Sequence, residues 1–178
     1  MTTWKTALAL AAAAAIGLSA CSTLKTNYDA KPGTNFSQYK TFGFKDVDEI
    51  KNSILDARIK ASVSAQLTAK GWTRNDENPD IWVVPHARLS KQTQINTYNT
   101  GWGYGYGWRY GGGMGTTTST VEEIPVGTLI IDLVDVKAKE LVWRGTASDT
   151  LKESATPEER EKNLNAAMAK LFEGFPPK

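Results

Sequence analysis

Two residue types that often carry chemistry occur once each in this chain of 178 residues, as Cys21 and His86. A lone histidine can serve as a general base or as a metal ligand. A transition-metal site needs further histidine or cysteine ligands, and Cys21 has another use, described below. No nucleophile-elbow pattern accompanies the serines. We therefore predict that His86 is an ordinary strand residue, and that the protein has no catalytic residues, no metal site and no cofactor.

The carboxylates offer a second route to chemistry, because paired acids can perform acid–base catalysis. Asp132 and Asp135 lie three positions apart near a strand end, and odd spacing on a strand directs side chains to opposite faces. We predict that Asp132 is a polar residue on the solvent side and that Asp135 forms a turn. The acidic runs at 122–123 and 158–161 are typical of solvated surface and of a helix start.

The N-terminal residues predict where the protein goes. Lys5 is the only charged side chain before the short apolar run ALALAAAAAIGL, which is the pattern of a secretory signal peptide. The residues Leu-Ser-Ala-Cys at 18–21 are similar to a bacterial lipobox, which predicts cleavage after Ala20 and lipidation of Cys21. An ordinary signal peptide with an incidental cysteine is the alternative. By resemblance to bacterial sorting rules, Ser22 favours the outer membrane, with the protein facing the periplasm.

An aromatic and glycine-rich segment, TGWGYGYGWRYGGGMG at 100–115, is the second unusual feature. In an extended chain, a period of two places its aromatic side chains on one face. We predict the end of a mobile hairpin that becomes ordered on contact. The contact surface consists of five aromatic residues: Trp102, Tyr104, Tyr106, Trp108 and Tyr110.

This aromatic segment has four possible uses. Trp and Tyr concentrate at membrane interfaces, they anchor protein interfaces, and their flat faces stack on sugar rings such as those of peptidoglycan. The fourth possibility is a variable loop that covers a sheet face. The chain is nearly neutral, with 21 basic and 19 acidic residues, which argues against a nucleic-acid partner. The expected partners are the membrane, through the lipid, and an envelope protein or glycan.

The sequence predicts three segments: a signal peptide at 1–20, a lipidated cysteine with a flexible tether at 21–34, and one periplasmic domain at 35–178. The domain begins with an alternating strand at 39–45. A helix follows, opened by a capping-box-like pair at Asp46 and Glu49 and closed by Gly71. Its predicted core face consists of Ile50, Ile54, Leu55, Ile59, Val63 and Leu67.

The second half of the domain is predicted to contain strands and a final helix. A strand begins at Ile81, and Pro85 within it indicates an edge or a bulge. A strand over 127–136 turns at 135–139 into a returning antiparallel strand. Thr156 opens a helix with a capping box. The fold class is therefore α+β: an antiparallel sheet of about four to five strands with two helices packed on one face.

Three stretches resemble a known family of bacterial lipoproteins, the domain-of-unknown-function 4136 family. They are FSQYKTFGF, KGWTRNDENPDIWVV and GTLIIDLVDVKAKELVWRGTA, and the resemblance covers about 35–172. It implies a lipoprotein domain facing the periplasm of Gram-negative bacteria and implies no activity. We expect a non-enzymatic interaction or envelope-maintenance module. The alternative is a module that binds peptidoglycan or another glycan through the aromatic segment.

Overall fold

A computed structural model describes residues 23–45, 50–99 and 117–177 of the chain. Within these ranges the chain forms six strands, one short 3₁₀ helix and two α-helices. In chain order, the elements are β1 (Lys25–Ala30), the 3₁₀ helix (Phe36–Gln38), β2 (Thr41–Phe44), α1 (Ser53–Ala69), β3 (Thr73–Arg74), β4 (Ile81–Asn99), β5 (Thr117–Asp135), β6 (Glu140–Thr150) and α2 (Pro157–Leu171).

The strands form one sheet in the order β1-β6-β5-β4-β2-β3. Strands β1, β6, β5 and β4 are antiparallel to their neighbours in that group. Strand β2 runs parallel to both β3 and β4. The prediction of an antiparallel sheet of about four to five strands therefore holds in part: most of the sheet is antiparallel, but it has six strands and is mixed, because β2 and β3 are parallel to their neighbours. The reason is helix α1, which carries the chain back across the sheet, so that the strands on either side of it are parallel.

The segment at 21–34 is not only a tether, because Lys25–Ala30 forms strand β1 at one edge of the sheet. It pairs with β6 from Lys25 opposite Ser148 to Ala30 opposite Trp143. The strand was not predicted because polar and turn residues dominate this segment. Only Leu24 and Ala30 pack against the core, which makes the alternation of apolar and polar side chains weak. The domain therefore begins about ten residues earlier than predicted.

Both helices pack on one face of the sheet, as predicted. From α1, Ile59, Val63 and Leu67 are fully buried, and Met168 and Leu171 of α2 lie in the same core. Ile54, predicted to face the core, is 67% exposed, because it lies one position, about 100° around the helix, away from the buried stripe of Leu55, Ile59, Val63 and Leu67.

The two helix starts had different outcomes. The first residue of α1 is Ser53, and Asn52 caps it by accepting hydrogen bonds from the amides of Ile54 and Leu55. The proposed cap at 46–49 lies outside the described residues. At α2 the predicted capping box is confirmed, since the Thr156 side chain and Glu159 exchange hydrogen bonds with each other's backbone amides.

The turn between β5 and β6 is confirmed. Asp135 Oδ1 accepts hydrogen bonds of 2.8 Å from the amides of Lys137 and Ala138. Lys139 completes the turn in the left-handed region, with a φ of 57°. An aspartate that bonds the backbone two and three residues onward is a common turn former, which is why the sequence revealed this turn.

Strands β4 and β5 continue far beyond the rest of the sheet. They pair without interruption from Ile81 opposite Asp135 to Asn99 opposite Thr117. On the other side of β4, β2 pairs only as far as Val83, so Pro85 lies where β4 is an edge strand. Its missing N–H points away from β5 and leaves no gap in the ladder, as predicted. Of the helices in the described ranges, none is long and apolar enough to cross a membrane.

Candidate functional site

The residues predicted to act at the membrane or on a partner lie outside the described ranges. These are the cleavage and lipidation positions, Ala20 and Cys21, and the aromatic surface of Trp102, Tyr104, Tyr106, Trp108 and Tyr110. The described residues do include the two strands that flank the aromatic segment, β4 and β5. Asn99 and Thr117, which flank it, are paired across the β4–β5 hairpin.

The outer parts of these two strands form a two-stranded arm, which we define as Lys91–Asn99 of β4 and Thr117–Pro125 of β5. It begins where β6 ends, because Thr150 pairs with Val126 and is the last residue of that strand. Nine residues of strand extend by about 30 Å. The arm therefore places Asn99 and Thr117, which flank the aromatic segment, about a domain's width away from the core.

The arm leaves the sheet at the same end as the start of the chain. Lys25, the first residue of β1, pairs with Ser148. Ser148 pairs in turn with Thr128, close to the base of the arm. Thr23 strengthens this arrangement by a hydrogen bond from its hydroxyl to Asp149. The polypeptide that leads back to Cys21 and the arm therefore share one end of the domain.

The sheet face opposite the helices carries a cluster of charged residues. Arg144 donates two hydrogen bonds of 2.6 Å to Asp132, from Nε and Nη2 to the two carboxylate oxygens. His86 Nε2 lies 3.4 Å from Asp132 Oδ2. Asp132 lies on the face away from the helices, the side predicted, but it is only 6% exposed, so it is not the solvated residue that was expected. The large side chains of its neighbours on β4 and β6 surround it, which the pattern of one strand does not reveal.

This cluster has the properties of a structural ion pair. Both Asp132 oxygens accept from one guanidinium, which is the bidentate geometry that arginine favours. The hydrogen bond to Asp132 raises the pKa of Arg144 above its usual value. No group of three or more metal-ligating side chains occurs within the residues described. His86 lies beside an aspartate, but this does not make it a catalytic base.

A second acidic group holds the start of β2 to β4. Asp80 Oδ2 accepts hydrogen bonds from the amides of Lys40 and Thr41, at 2.9 and 3.0 Å, and from the Thr41 hydroxyl at 3.0 Å. The bond from the Lys40 amide, followed by those from Thr41, lowers the pKa of Asp80 below its usual value. Asp80 belongs to the Asn-Pro-Asp sequence that predicted a turn, but its role as a clamp between strands was not predicted.

Beside this clamp, Tyr39 donates a hydrogen bond of 2.8 Å to Asp135 Oδ2. Burial, and then this hydrogen bond, raise the pKa of Tyr39 to about 12. The contact joins the residue that follows the 3₁₀ helix to the β5–β6 turn. The polar groups at this end of the sheet therefore stabilise the fold. The candidate functional surface is the opposite end, which carries the arm.

These features define a class of protein: an α+β domain with a six-stranded mixed sheet, two helices on one face and a protruding hairpin. The chain belongs to the DUF4136 family, a family of domains of unknown function whose model matches residues 24–177. The match includes strand β1. A comparison with curated proteins gave no match.

Two solved structures have a similar fold. A PDZ domain protein from Parabacteroides distasonis ATCC 8503 is 18% identical with a TM-score of 0.57, and the comparison covers 88% of this chain and 36% of that one. This chain thus spans little more than a third of that protein. A PelC dodecamer from Paraburkholderia phytofirmans is 14% identical with a TM-score of 0.50, covering 84% and 94% of the two chains. At these identities the likeness is one of fold alone.

Proposed function

We propose that this protein is a lipoprotein of the outer membrane, anchored through Cys21 and facing the periplasm, and that it acts as a non-enzymatic interaction module. The observation that carries this proposal is that the arm and the start of the chain lie at the same end of the domain. The lipobox-like residues supply the anchor, and the arm supplies a surface that projects from the body.

The distances support a module that works close to the membrane. Lys25 lies four positions after Cys21, and an extended chain spans at most about 14 Å over four such steps. The body would therefore stand near the bilayer that holds the lipid. The arm leaves the body at that same end and reaches about 30 Å further, so its contacts would be made at or beside the membrane surface.

The anchor is tested by replacing Cys21 with alanine in cells that express the full chain. We expect incorporation of a labelled fatty acid to stop and the uncut precursor to accumulate. Cys21→Ser is a second variant that also removes the thiol, and it should behave in the same way. Continued labelling of either variant would contradict a lipid at Cys21.

The contact surface is tested with a photo-crosslinking amino acid at Tyr106 in living cells. A discrete protein adduct is the expected result, because rigid aromatic side chains are frequent interface anchors. Lys139 is the control position, since it is exposed in the β5–β6 turn at the opposite end of the domain. Equal adducts at both positions, or none at Tyr106, would contradict an interaction surface on the aromatic segment.

The alternative is a glycan-binding module, favoured by the alternation of aromatic residues in the segment. Its test is recovery of the protein on peptidoglycan sacculi. Replacing Trp102 and Trp108 with alanine should then abolish recovery, and replacing both with tyrosine should retain most of it, because a flat aromatic face remains. Equal recovery of wild type and the alanine variant would exclude stacking by these two residues.

A further inference from the structure

One edge of the sheet is blocked against pairing. Just after β1, the amide of Lys31 donates to Val142 of β6, so the alternate amides of Tyr28 and Ala30 point away from the sheet. The side chains just before them accept these amides: Asn27 takes that of Tyr28 and Asp29 takes that of Ala30, each at 2.9 Å. Occupied amides cannot bind a further strand, a known protection of edge strands.

The arm has open edges instead. Beyond Pro85, the outward amides of β4 are those of alternate residues, among them Leu89, Thr93 and Ile95. The corresponding outward amides of β5 include those of Val121 and Glu123. None of these five amides has a hydrogen-bond partner among the residues that the structure describes.

Three apolar side chains of the arm and its base are not covered by any residue that the structure describes. Ile95 and Val121 lie opposite each other on the helix side of the sheet and are 64% and 62% exposed. Leu89, at the base of the arm, is 72% exposed. A two-stranded hairpin is marginally stable in water unless a third strand or another surface packs on it. Within residues 23–45, 50–99 and 117–177, no third strand or other surface of this kind packs on the arm.

The two edges carry opposite charges. From Ala87 to Asn99, β4 contains Arg88 and Lys91 and no acidic residue; from Thr117 to Val126, β5 contains Glu122 and Glu123 and no basic residue. Arg88 and Glu122 lie on one face of the arm, and Lys91 and Glu123 on the other. Lys91 and Glu123 already form an ion pair of 2.8 Å across the hairpin, so this arrangement of charges is compatible with paired strands.

We propose that the neighbour is a second copy of this chain, whose β5 edge pairs with the β4 edge of the first copy. When two arms stand side by side and point the same way, β4 of one copy is antiparallel to β5 of the next, as within one hairpin. With the second copy displaced by about four residues along the arm, Arg88 of one copy lies diagonally opposite Glu122 of the next on one face, and Lys91 lies diagonally opposite Glu123 on the other. The contact is heterologous, so it repeats from copy to copy and generates a ring or an open chain.

This inference goes beyond the proposed function, because it uses neither the lipid nor the aromatic segment. Its test uses charge-reversed full-length chains, purified in detergent, and measures their size by sedimentation and their mixing by co-purification of two differently tagged copies. Arg88→Glu/Lys91→Glu makes both edges acidic, and Glu122→Lys/Glu123→Lys makes both basic. Either change should weaken self-association roughly tenfold through like-charge contacts across the strands.

Two further results distinguish edge pairing from a loss of folding. Equal amounts of the two reversed chains should associate with each other, because every β4–β5 contact between them is again complementary. A chain that carries all four reversals keeps its own cross-hairpin attraction and should associate with itself, but should be excluded from wild-type assemblies. Lys70→Glu/Lys162→Glu is the matched control: it changes the net charge as Arg88→Glu/Lys91→Glu does, but away from the arm, and should associate as wild type does.

Three outcomes would overturn the proposal. The first is a wild-type chain that remains monomeric, which would leave the arm edges for another protein or the membrane. The second is a pair of reversed chains that fail to associate on mixing. The third is free mixing of the fourfold variant with wild type, which would mean that the copies meet through another surface.

Discussion

Arg144 and Asp132 form a bidentate ion pair between neighbouring strands β6 and β5, with both hydrogen bonds at 2.6 Å. Asp132 is buried, but about half of the Arg144 side chain is exposed. The carboxylate therefore depends on a partner that solvent also reaches. A substitution of Arg144 is therefore expected to lower stability, because losing the arginine leaves a buried negative charge behind.

Replacing Arg144 with alanine should lower the free energy of unfolding by about 1–3 kcal/mol, since a buried carboxylate loses its main hydrogen-bond donor. Arg144→Lys should fall between wild type and alanine, because it keeps the charge and loses the second hydrogen bond. Urea unfolding measures both. Lys162→Ala is the control: Lys162 is an exposed basic residue on α2, away from the arm, and its loss should change stability by less than about 0.5 kcal/mol. Equal effects at the two positions would contradict the burial argument.

The Tyr39–Asp135 hydrogen bond predicts a loss of stability at high pH. Burial and the bond to Asp135 raise the pKa of Tyr39 from 10.0 to about 12. The unfolded chain therefore ionises first, and stability falls between about pH 10 and pH 12. A shift of this size corresponds to about 2–3 kcal/mol.

The measurement is urea unfolding of wild type and Tyr39→Phe across that range of pH. The variant should be less stable at neutral pH, through loss of the hydrogen bond, and its stability should decline less steeply above pH 10. Tyr28→Phe is the control, because Tyr28 is 45% exposed and lies outside this contact. Parallel curves for wild type and Tyr39→Phe would refute the prediction.

Asp80 predicts the opposite dependence at low pH. Its pKa is lowered chiefly by the hydrogen bond from the Lys40 amide, so its contribution is present above the usual pKa, near 4, and is lost as pH falls below it. Asp80→Asn should cost about 1–3 kcal/mol at neutral pH and should reduce the loss of stability below pH 4. Thermal unfolding between pH 2 and 7 would measure both effects. Glu77→Gln, an exposed position in the same loop, is the control at neutral pH and should change stability by less than about 0.5 kcal/mol.

Gly43 in β2 is required by close packing. A Cβ at this position would lie 2.8 Å from the Asn75 carbonyl oxygen and 2.8 Å from Trp82 Cζ3. Gly43→Ala should therefore destabilise the domain by about 1–3 kcal/mol through overpacking. Gly174→Ala is the control, since its Cβ would meet only Tyr28, at 3.6 Å. Similar unfolding midpoints for the two variants would contradict the geometry.

Much of the fold follows from local patterns. The threonine cap of α2, the Asp135 turn, the stop at Gly71 and the edge position of Pro85 were all predicted, because each depends on residues within a few positions of one another. Gly71 has the positive φ of 87° that its role requires. The family resemblance agrees with the match over residues 24–177, although it was first drawn from about residue 35.

The sequence by itself determined the local elements, the helix layer on one side of the sheet and the expectation of a lipid anchor, since caps, turns, apolar spacing and signal residues are short-range properties. Only the tertiary structure decided that Lys25–Ala30 is an edge strand, that β2 is parallel to β4, and that Arg144 buries Asp132. These are contacts between residues far apart in the chain, and they depend on which strands become neighbours. The length of the arm belongs to the same group, because it is set by where β6 and β2 stop pairing.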